Sequence, residues 1–239
     1  MHQEQSFSYT DRIVSFVDLL GFAECVNRSV TDAASMTAIR QFLDTSGTFQ
    51  QIVKNFLTHK NNKLVEVSYF SDTFVISVSA ENLIYLVRET GHLCRHMLLS
   101  GWPCRGAIVA GALSHNEEAV IGPALVEAYR LEQAVALYPR VVLNDQALAH
   151  WHTETAAGSE TESSSPIVKQ DKDGLHFLDL FDPAWNQFSD PYNLPKWKPL
   201  SDFSSAAQMI IETGLTQYSK DPRVLQKYEW LRSEWRRHT

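Results

Sequence analysis

The sequence predicts an α+β fold in which a mostly antiparallel sheet is covered by helices on one face, with a helical extension at the C-terminus. Over the first 182 residues the order is strand, helices, hairpin, helix, strand, short strand, helix, strand, helix and hairpin. Two of the β-rich runs are separated by only two residues, a spacing typical of an antiparallel hairpin. After Asp182 the composition shifts to prolines and aromatic residues, and two helical runs follow.

Length and composition restrict the class of protein. A chain of 239 residues allows one large domain, or one domain with appendages, and 44% apolar residues is ordinary for a globular protein. The sequence has no run of about 18 apolar residues and no signal-peptide pattern, so we expect no membrane span. Three cysteines without metal-ligand spacing predict reduced thiols in a cytoplasmic protein. The net charge of −7 disfavours a nucleic-acid partner but does not disfavour a nucleotide.

Apolar spacing assigns the elements of the first hundred residues. The predicted elements are a strand at 12–19, one or two helices at 31–57, strands at 64–70 and 73–79, and a helix at 82–100. Only Ser71 and Asp72 separate the two middle strands, so we expect Asp72 at the tip of a tight hairpin. Gly101, Trp102 and Pro103 end the last of these helices.

The next eighty residues continue the alternation of strands and helices. The predicted elements are a strand at 105–113, a short apolar stretch ending at Gly122, a helix at 124–136, a strand at 140–143, a helix at 146–152 and a hairpin at 167–181. Small residues in the first of these strands predict close approach of a neighbouring backbone or a ligand. Asp145 is a good N-cap for the helix that follows it. Residues 153–165, rich in Thr, Glu and Ser, are expected to form a solvated, mobile loop.

Composition divides the chain into a first domain at 1–182 and an extension at 183–239. The extension begins with a proline- and aromatic-rich connector and continues in two predicted helices, at 202–218 and 221–237. The last helix is rich in Trp and Arg. We interpret it as a packing element that covers the sheet or the edge of a dimer, rather than as a nucleic-acid binder.

Two aspartates lie where an acid is costly unless it has a partner. Asp18 is a lone acid in an otherwise apolar strand, and the turn at Gly21 follows it. A buried carboxylate is strongly disfavoured unless it is paired, binds a cation or becomes neutral. Asp72 is the second such acid, at the predicted hairpin tip. Two carboxylates at strand ends predict a divalent metal site, and divalent metals are typical of phosphate chemistry.

Four segments, in order along the chain, resemble the motifs of class III nucleotidyl cyclases. Residues 16–22, Phe-Val-Asp-Leu-Leu-Gly-Phe, resemble the first metal-binding motif, and residues 70–75, Phe-Ser-Asp-Thr-Phe-Val, resemble the second. Residues 105–111, Arg-Gly-Ala-Ile-Val-Ala-Gly, resemble the family's strand R-x-G-I-x-x-G with a slight shift. Residues 122–132 resemble the helix that carries the family's transition-state arginine. The resemblance implies a ferredoxin-like (palm) catalytic domain over residues 1–182.

The resemblance also implies two divalent ions, Mn²⁺ or Mg²⁺, and a nucleoside triphosphate substrate. The residues that would hold the ions are Asp18, Leu19 and Asp72. The turn at Leu19, Gly21 and Phe22 would offer backbone N–H groups to the β- and γ-phosphates. Arg130 would stabilise charge that develops at the α-phosphate, and in the family such an arginine acts across the interface of a head-to-tail homodimer. The candidate lysines for the triphosphate, both on the late hairpin, are Lys169 and Lys172.

Departures from the family pattern bear on the substrate. Adenylate cyclases carry lysine and guanylate cyclases glutamate at a purine-reading position that falls here on Ser68, and its partner position falls on Ala119. Because neither purine code is present, we expect a pyrimidine that is read by Ser68, Tyr69 or Arg105. The family's ribose-orienting asparagine falls on Val126, so that contact is missing or is supplied elsewhere.

A compact cyclase without purine codes resembles the bacterial pyrimidine cyclases of Pycsar anti-phage defence. That resemblance implies conversion of UTP to 3′,5′-cyclic UMP, a second messenger for a separate cyclic-nucleotide-binding effector. Three alternatives stay open: a cytidylate cyclase that uses CTP, an adenylate or guanylate cyclase with an unusual base pocket, and an inactive cyclase-like binding module, which the valine at 126 would favour. A diguanylate-cyclase or polymerase-like reading is disfavoured because no Gly-Gly-Asp/Glu-Glu-Phe hairpin is present.

Overall fold

The computed structural model of the chain describes residues 8–59, 65–157, 167–188 and 200–239. The strands within these ranges are β1 (Thr10–Leu19), β2 (Glu66–Phe70), β3 (Thr73–Ser79), β4 (Cys104–His115), β5 (Val120–Ile121), β6 (Val141–Leu143), β7 (Val168–Gln170) and β8 (His176–Leu178). The α-helices are α1 (Phe22–Ser29), α2 (Ala33–His59), α3 (Leu83–Leu99), α4 (Pro123–Ala134), α5 (Asp145–Ala157), α6 (Phe203–Gln217) and α7 (Pro222–Arg236). The predicted α+β class is confirmed.

The strands form one sheet in the order β2-β3-β1-β4-β6-β8-β7, with β5 paired to β4. Neighbours in this sheet are antiparallel except β4 and β6, which are parallel. Asp18, near the end of β1, lies opposite Thr73 of β3 on one side and Arg105 of β4 on the other. The register therefore brings the end of β1 and the first residues of β3 and β4 to one end of the sheet.

Helices cover both faces of the sheet, which corrects the prediction of a single covered face. Successive residues of a strand point to opposite faces, and in β1 Ile13 and Val17 belong to one hydrophobic cluster whereas Val14 belongs to another. The first cluster packs against α3, and the second packs against α4 through residues such as Ala128. Because Asp18 alternates in step with Val14, it lies on the α4 face.

Small residues in β4 allow two backbones to approach closely, as the sequence predicts. A Cβ atom on Gly106 would lie 2.2 Å from the carbonyl oxygen of Phe16 in the neighbouring strand. A larger residue at this position would push β4 away from β1. The glycine therefore holds Arg105, the preceding residue, close to the end of β1.

Helix α1 is an element that the sequence pattern did not predict, since the first predicted helix begins at residue 31. The chain turns at Gly21, whose φ of 83° is left-handed, and α1 begins at the next residue. Its buried residues, Phe22 and Cys25, are one turn apart. A helix of eight residues offers too few apolar positions for a helical period to stand out in the sequence.

Helix α5 differs from the prediction at both ends. The Asn144 side chain accepts a hydrogen bond from the Ala147 N–H at 2.9 Å, so Asn144 supplies the predicted cap and Asp145 is the first helical residue. Residues 153–157 continue the helix instead of forming a loop. The remainder of that predicted loop, together with residues 189–199 of the proline-rich connector, lies outside the described residues.

The C-terminal helices share the core of the sheet. Phe203 and Ile211 of α6 are buried in the first hydrophobic cluster, and α6 packs on α3 and α7. Leu231 of α7 is buried in the same cluster. Trp230, the preceding residue, packs against both clusters. Helix α7 therefore reaches from one face of the sheet to the other.

The cysteines lie inside this core. Cys25, Cys94 and Cys104 are buried and form no disulfide. Burial raises the pKa of the Cys104 thiol well above its ordinary value, so that thiol stays protonated and unreactive at neutral pH. No helix in the described part of the chain is both long enough and apolar enough to cross a bilayer.

Candidate active site

Asp18 and Asp72 meet at one end of the sheet. The β2–β3 hairpin turns on two residues, of which Ser71 adopts a left-handed φ of 56°. The Leu19 backbone N–H donates to the Asp72 carbonyl oxygen at 3.1 Å and ties the end of β1 to the hairpin tip. The Thr73 hydroxyl donates to Asp18 Oδ1 at 3.5 Å. The two acids that the sequence singles out are thus neighbours in the fold.

Arg105 and Glu132 complete this cluster of charges. Arg105 Nε lies 3.6 Å from Asp18 Oδ2 and forms a closer ion pair with Glu132 Oε1. Glu132 comes from α4 and its side chain is only 1% exposed, against 20% for Asp18. Sequence reasoning missed Glu132. The available signal was its position one turn after Ala128, on the apolar side of a helix.

The cluster holds more negative charge than its arginine neutralises. Burial, followed by the charges of Asp72 and Glu132, raises the pKa of Asp18 to about 6, although Arg105 opposes the shift. Burial likewise raises the pKa of Glu132. Carboxylate oxygens in such excess are the ligands that Mg²⁺ and Mn²⁺ prefer. The donor set therefore fits divalent cations. Leu19, whose side chain is buried, has only its backbone to offer such ions.

The turn after β1 places a helix N-terminus beside the acids. The first amides of α1 follow Gly21, and no side chain caps them. Uncapped N–H groups at a helix start attract phosphate and other anions. The Phe22 ring is buried against Phe42 and Trp102, with centroids 4.8 and 5.6 Å away, so this residue anchors the turn through its side chain.

Ser68 lies on the same face of the sheet as Asp18, since its cross-strand partner Val75 belongs to the α4-side cluster. Its hydroxyl is 2.9 Å from His115 Nε2, and His115 Nδ1 is 2.9 Å from the Ser77 hydroxyl. Burial, helped by a nearby arginine, lowers the pKa of His115 to about 4, so the ring is neutral at physiological pH. Sequence reasoning did not select His115.

Tyr69 faces the other way. Its ring stacks on Phe74 at 5.1 Å between centroids and lies 6.0 Å from the ring of Phe42, in the first hydrophobic cluster. Adjacent strand residues point to opposite faces, so Ser68 and Tyr69 do not face the same ligand. The structure brings Ser68 and Arg105 to the acid-bearing face and leaves Tyr69 on the opposite face.

Arg130 and Val126 lie on the outward side of α4. Residues two apart on a helix point about 200° apart, so the inward position of Glu132 turns Arg130 towards solvent. Arg130 is exposed and lines an open cavity of about 670 Å³ together with Tyr9, Ile121 and Val126. Within one chain the structure does not bring Arg130 to Asp18.

Lys169 forms ion pairs with two acids in another part of the fold. Its Nζ lies 2.9 Å from Asp179 Oδ2 and 2.8 Å from Asp182 Oδ2, and His238 Nε2 lies 2.7 Å from the same Asp179 oxygen. The two acids and the histidine are arranged closely enough to hold a metal ion, but the lysine ammonium already contacts both acids. Strand β7, which carries Lys169, is at the opposite edge of the sheet from β2, and Lys172 is exposed in the hairpin turn.

No family model matches the sequence, and no curated protein matches it. Solved structures that resemble the fold include a bacterial light-regulated adenylyl cyclase, with a TM-score of 0.44 and 12% identity over 88% of this chain. This chain spans 59% of the length of that protein.

Two further solved structures resemble the chain. One is the monomeric guanylyl cyclase domain of the RhoGC fusion protein from the aquatic fungus Blastocladiella emersonii, with a TM-score of 0.46, 13% identity and coverage of 72% of this chain and 98% of that chain. The other is the adenylyl cyclase CyaB from P. aeruginosa, with a TM-score of 0.43, 14% identity and coverage of 71% and 92%.

Lys169→Met is expected to destabilise the fold without a direct effect on the acid cluster. The substitution leaves the buried carboxylates of Asp179 and Asp182 without their cation, and removal of one partner of a buried pair costs about 3 kcal/mol. Thermal or urea unfolding measures the loss. Lys172→Met, an exposed lysine of the same hairpin, is the matched control and should unfold like the wild type. Equal stability of the two variants would contradict the structural role of Lys169.

Asp18→Asn is expected to stabilise the metal-free protein at neutral pH. The pKa of Asp18 in the folded state, about 6, lies above its ordinary value of 3.8, so ionisation of Asp18 disfavours folding. This penalty is absent below pH 4, grows between pH 4 and 6 and is complete above that range. The variant should therefore melt about 3 °C higher at pH 7.5 and no higher at pH 4.

Thermal unfolding in the presence of EDTA measures this effect, with Asp11→Asn at the other end of β1 as the control. A lower melting temperature for Asp18→Asn at pH 7.5 would contradict the electrostatic account. Added Mn²⁺ should stabilise the wild type and leave Asp18→Asn unchanged, because a ligand that binds only the folded state raises its stability.

Proposed function

We propose that this chain is a metal-dependent nucleotidyl cyclase of the class III type, which converts UTP to 3′,5′-cyclic UMP and pyrophosphate. The observation that carries the proposal is the convergence of Asp18 and Asp72 beside the uncapped start of α1. Excess carboxylates attract divalent cations, and a helix N-terminus attracts phosphates. Their combination suits a metal-bound nucleoside triphosphate.

The reaction joins two atoms of the same substrate. The ribose 3′ oxygen attacks the α-phosphorus, the bond to the β-phosphate oxygen breaks, pyrophosphate leaves, and the hydroxyl proton passes to solvent. Asp18, Asp72 and the backbone of Leu19 would hold two divalent ions, which lower the pKa of the 3′ hydroxyl and offset the charge of the triphosphate. The amides at the start of α1 bind the β- and γ-phosphates, and Arg105 neutralises part of the cluster beside them.

Arg130 is proposed to act in trans. Its place on the outward side of α4, exposed beside the open cavity and turned away from its own Asp18, supports a role in the site of another copy of the chain. In a head-to-tail homodimer each site would combine the two acids of one protomer with the arginine of its partner. A guanidinium held near the α-phosphate stabilises the charge that develops there.

The preference for a pyrimidine rests on Ser68. Purine cyclases place a charged lysine or glutamate at the corresponding position, whereas here a hydroxyl is joined to the neutral ring of His115. An uncharged pair of this kind supports a smaller base that is read by neutral hydrogen bonds. We propose UTP as the substrate before CTP because cyclic UMP is the commoner product of the cyclases in anti-phage defence. The product is proposed to act on a separate effector with a cyclic-nucleotide-binding site.

The test is incubation of the purified protein with UTP, CTP, ATP and GTP separately, each with Mn²⁺ and with Mg²⁺, followed by mass spectrometry of the products. Cyclic UMP from UTP, lost on addition of EDTA, is the expected result. Cyclic CMP from CTP would show that the protein is a cytidylate cyclase. Purine products alone would overturn the pyrimidine assignment. Nucleotide binding without any cyclic product would identify a binding module, for which the exposed Val126 is the structural indication.

A further inference from the structure

Four polar side chains form a continuous hydrogen-bonded relay on the face of the sheet that carries Asp18. Arg12 Nε donates to the Ser77 hydroxyl at 3.0 Å, and a terminal guanidinium nitrogen of Arg12 donates to the Ser77 carbonyl oxygen at 3.1 Å. The Ser77 hydroxyl is 2.9 Å from His115 Nδ1, and His115 Nε2 is 2.9 Å from the Ser68 hydroxyl. The relay therefore connects β1, β3 and β4 to the edge strand β2.

The direction of these hydrogen bonds is fixed where the relay begins. A guanidinium carries N–H donors and no acceptor, so Arg12 must donate and the Ser77 oxygen must accept. Ser77 is fully buried, and among the described residues its hydroxyl has only Arg12 and His115 as partners. A buried donor without an acceptor is strongly disfavoured. The single hydroxyl hydrogen of Ser77 is therefore donated to His115 Nδ1.

The ring of His115 continues the same direction. A neutral imidazole has one N–H and one acceptor nitrogen. The ring is neutral because burial, and then the charge of Arg12, lower its pKa to about 4. Since Nδ1 accepts from Ser77, the ring hydrogen lies on Nε2 and is donated to the Ser68 oxygen. Ser68 is half-buried and has no other partner in the described part of the chain, so its own hydroxyl hydrogen remains for a ligand.

We propose that the relay makes Ser68 a hydrogen-bond donor to the substrate base, so that His115, Ser77 and Arg12 act as positioning residues that favour uracil over cytosine. This inference rests on the proposed function and deepens it. At C4, uracil carries a carbonyl oxygen, which accepts, whereas cytosine carries an amino group, which donates. A donating Ser68 hydroxyl can pair with the carbonyl oxygen, but against the amino group it would place two donors face to face. A site with a fixed donor rejects such an analogue because its own polar group is left unpaired.

The position of Ser68 suits this task. Ser68 lies opposite Val75 of β3, and Val75 lies opposite Phe16 of β1, two residues before Asp18. Ser68 is therefore two strands and two residues away from Asp18 on the same face, about 12 Å by the ordinary spacing of strands and residues. A nucleotide with its phosphates at the acids can extend its base towards β2 over such a distance. The relay thus supplies a reason for UTP before CTP that lies in this chain itself.

Ser77→Ala tests the inference, because it removes the hydroxyl that orients His115 and leaves Ser68 in place. Binding of UMP and of CMP is measured by calorimetry, beside kcat/KM for UTP and for CTP in Mn²⁺. We expect the wild type to favour UMP and UTP, and Ser77→Ala to reduce that preference about tenfold, since both tautomers of His115 are then allowed. Ser79→Ala, which removes a hydroxyl two residues further along β3, is the matched control and should keep the preference.

The tautomer of His115 can be measured directly by NMR. The ¹⁵N chemical shift of a ring nitrogen depends on whether that nitrogen carries a hydrogen, and the spectrum of His115→Gln identifies the signals that belong to this residue. We expect the hydrogen on Nε2 in the wild type and a mixture of tautomers in Ser77→Ala. Because the wild-type spectrum depends on neither turnover nor the variant, it tests the relay even if Ser77→Ala does not fold. His152→Gln, an exposed histidine of α5, is the control and should leave the His115 signals unchanged.

Three results would overturn the inference. A hydrogen on Nδ1 of His115 in the wild type would reverse the relay and make Ser68 an acceptor. Equal or tighter binding of CMP by the wild type would show that Ser68 does not reject the amino group. An unchanged ratio of UMP to CMP affinity in Ser77→Ala would show that the relay does not set the preference. Failure of the proposed function is distinguishable: no cyclic product from any nucleotide, with a preference for UMP that Ser77→Ala reduces, would refute the cyclase and retain the uracil-reading relay.

Discussion

On the proposed function, Asp72→Ala is expected to reduce turnover of UTP at least about a thousandfold, since loss of a proposed metal ligand would remove several kcal/mol of transition-state stabilisation. Asp72 lies at the tip of the β2–β3 hairpin, where its backbone is tied to Leu19 and its charge acts on Asp18. The fold should survive, because the side chain is not buried in either hydrophobic cluster. Production of cyclic nucleotide in Mn²⁺, measured by mass spectrometry, checks the prediction.

The matched control for Asp72→Ala is Asp11→Ala. Asp11 is an exposed acid at the opposite end of β1, so Asp11→Ala should leave turnover unchanged. Stabilisation by Mn²⁺ should also be lost in Asp72→Ala and retained in the control. If Asp72→Ala turns over UTP like the wild type, the metal assignment of this residue is wrong.

Arg130→Ala is expected to lower kcat by about a hundredfold or more while the protein keeps its stability. The side chain is exposed on α4, so its removal leaves no cavity, whereas loss of a positioned donor at a developing negative charge costs about 3 kcal/mol. The change should appear in kcat more than in KM, because the contact strengthens in the transition state. Arg40→Ala, an exposed arginine of α2, is the control for loss of charge.

Mixing two inactive variants tests whether Arg130 acts across a dimer. Asp72→Ala keeps the arginine and Arg130→Ala keeps the acids, so a mixed head-to-tail dimer contains one intact site. Random exchange of subunits should restore about a quarter of the wild-type activity, because half of the dimers are mixed and each has one working site of two. No recovery after subunit exchange, verified by mass spectrometry of the intact dimers, would place Arg130 in the site of its own chain.

Some parts of the site could be predicted because the interactions that create them are local. The hairpin at Ser71 and Asp72 follows from two β-rich runs with a two-residue gap. Asp18 is conspicuous because a lone acid interrupts an apolar strand. Small residues in β4 predict close backbone approach, and Gly106 makes it. In each case the feature can be inferred from the types and spacing of a few residues that are close together in the sequence.

Other parts could not be predicted because they depend on which elements become neighbours. Glu132 is an unremarkable helix acid until α4 packs over β1 and β4 and places it against Arg105. Lys169 is a plausible phosphate ligand in sequence, but the fold pairs it with Asp179 and Asp182. Whether a charged side chain is free or paired is settled by contacts distant in sequence.

By itself the sequence determined the α+β class, the order of strands and helices apart from α1, the two candidate acids and the motifs that resemble a cyclase. The tertiary structure decided that helices cover both faces, that Tyr69 lies on the face opposite the acids, and that Glu132 of α4 pairs with Arg105. The physical reason is the range of the forces involved. Propensity and alternation act over a few residues, whereas burial and charge act between surfaces that only the folded chain brings together.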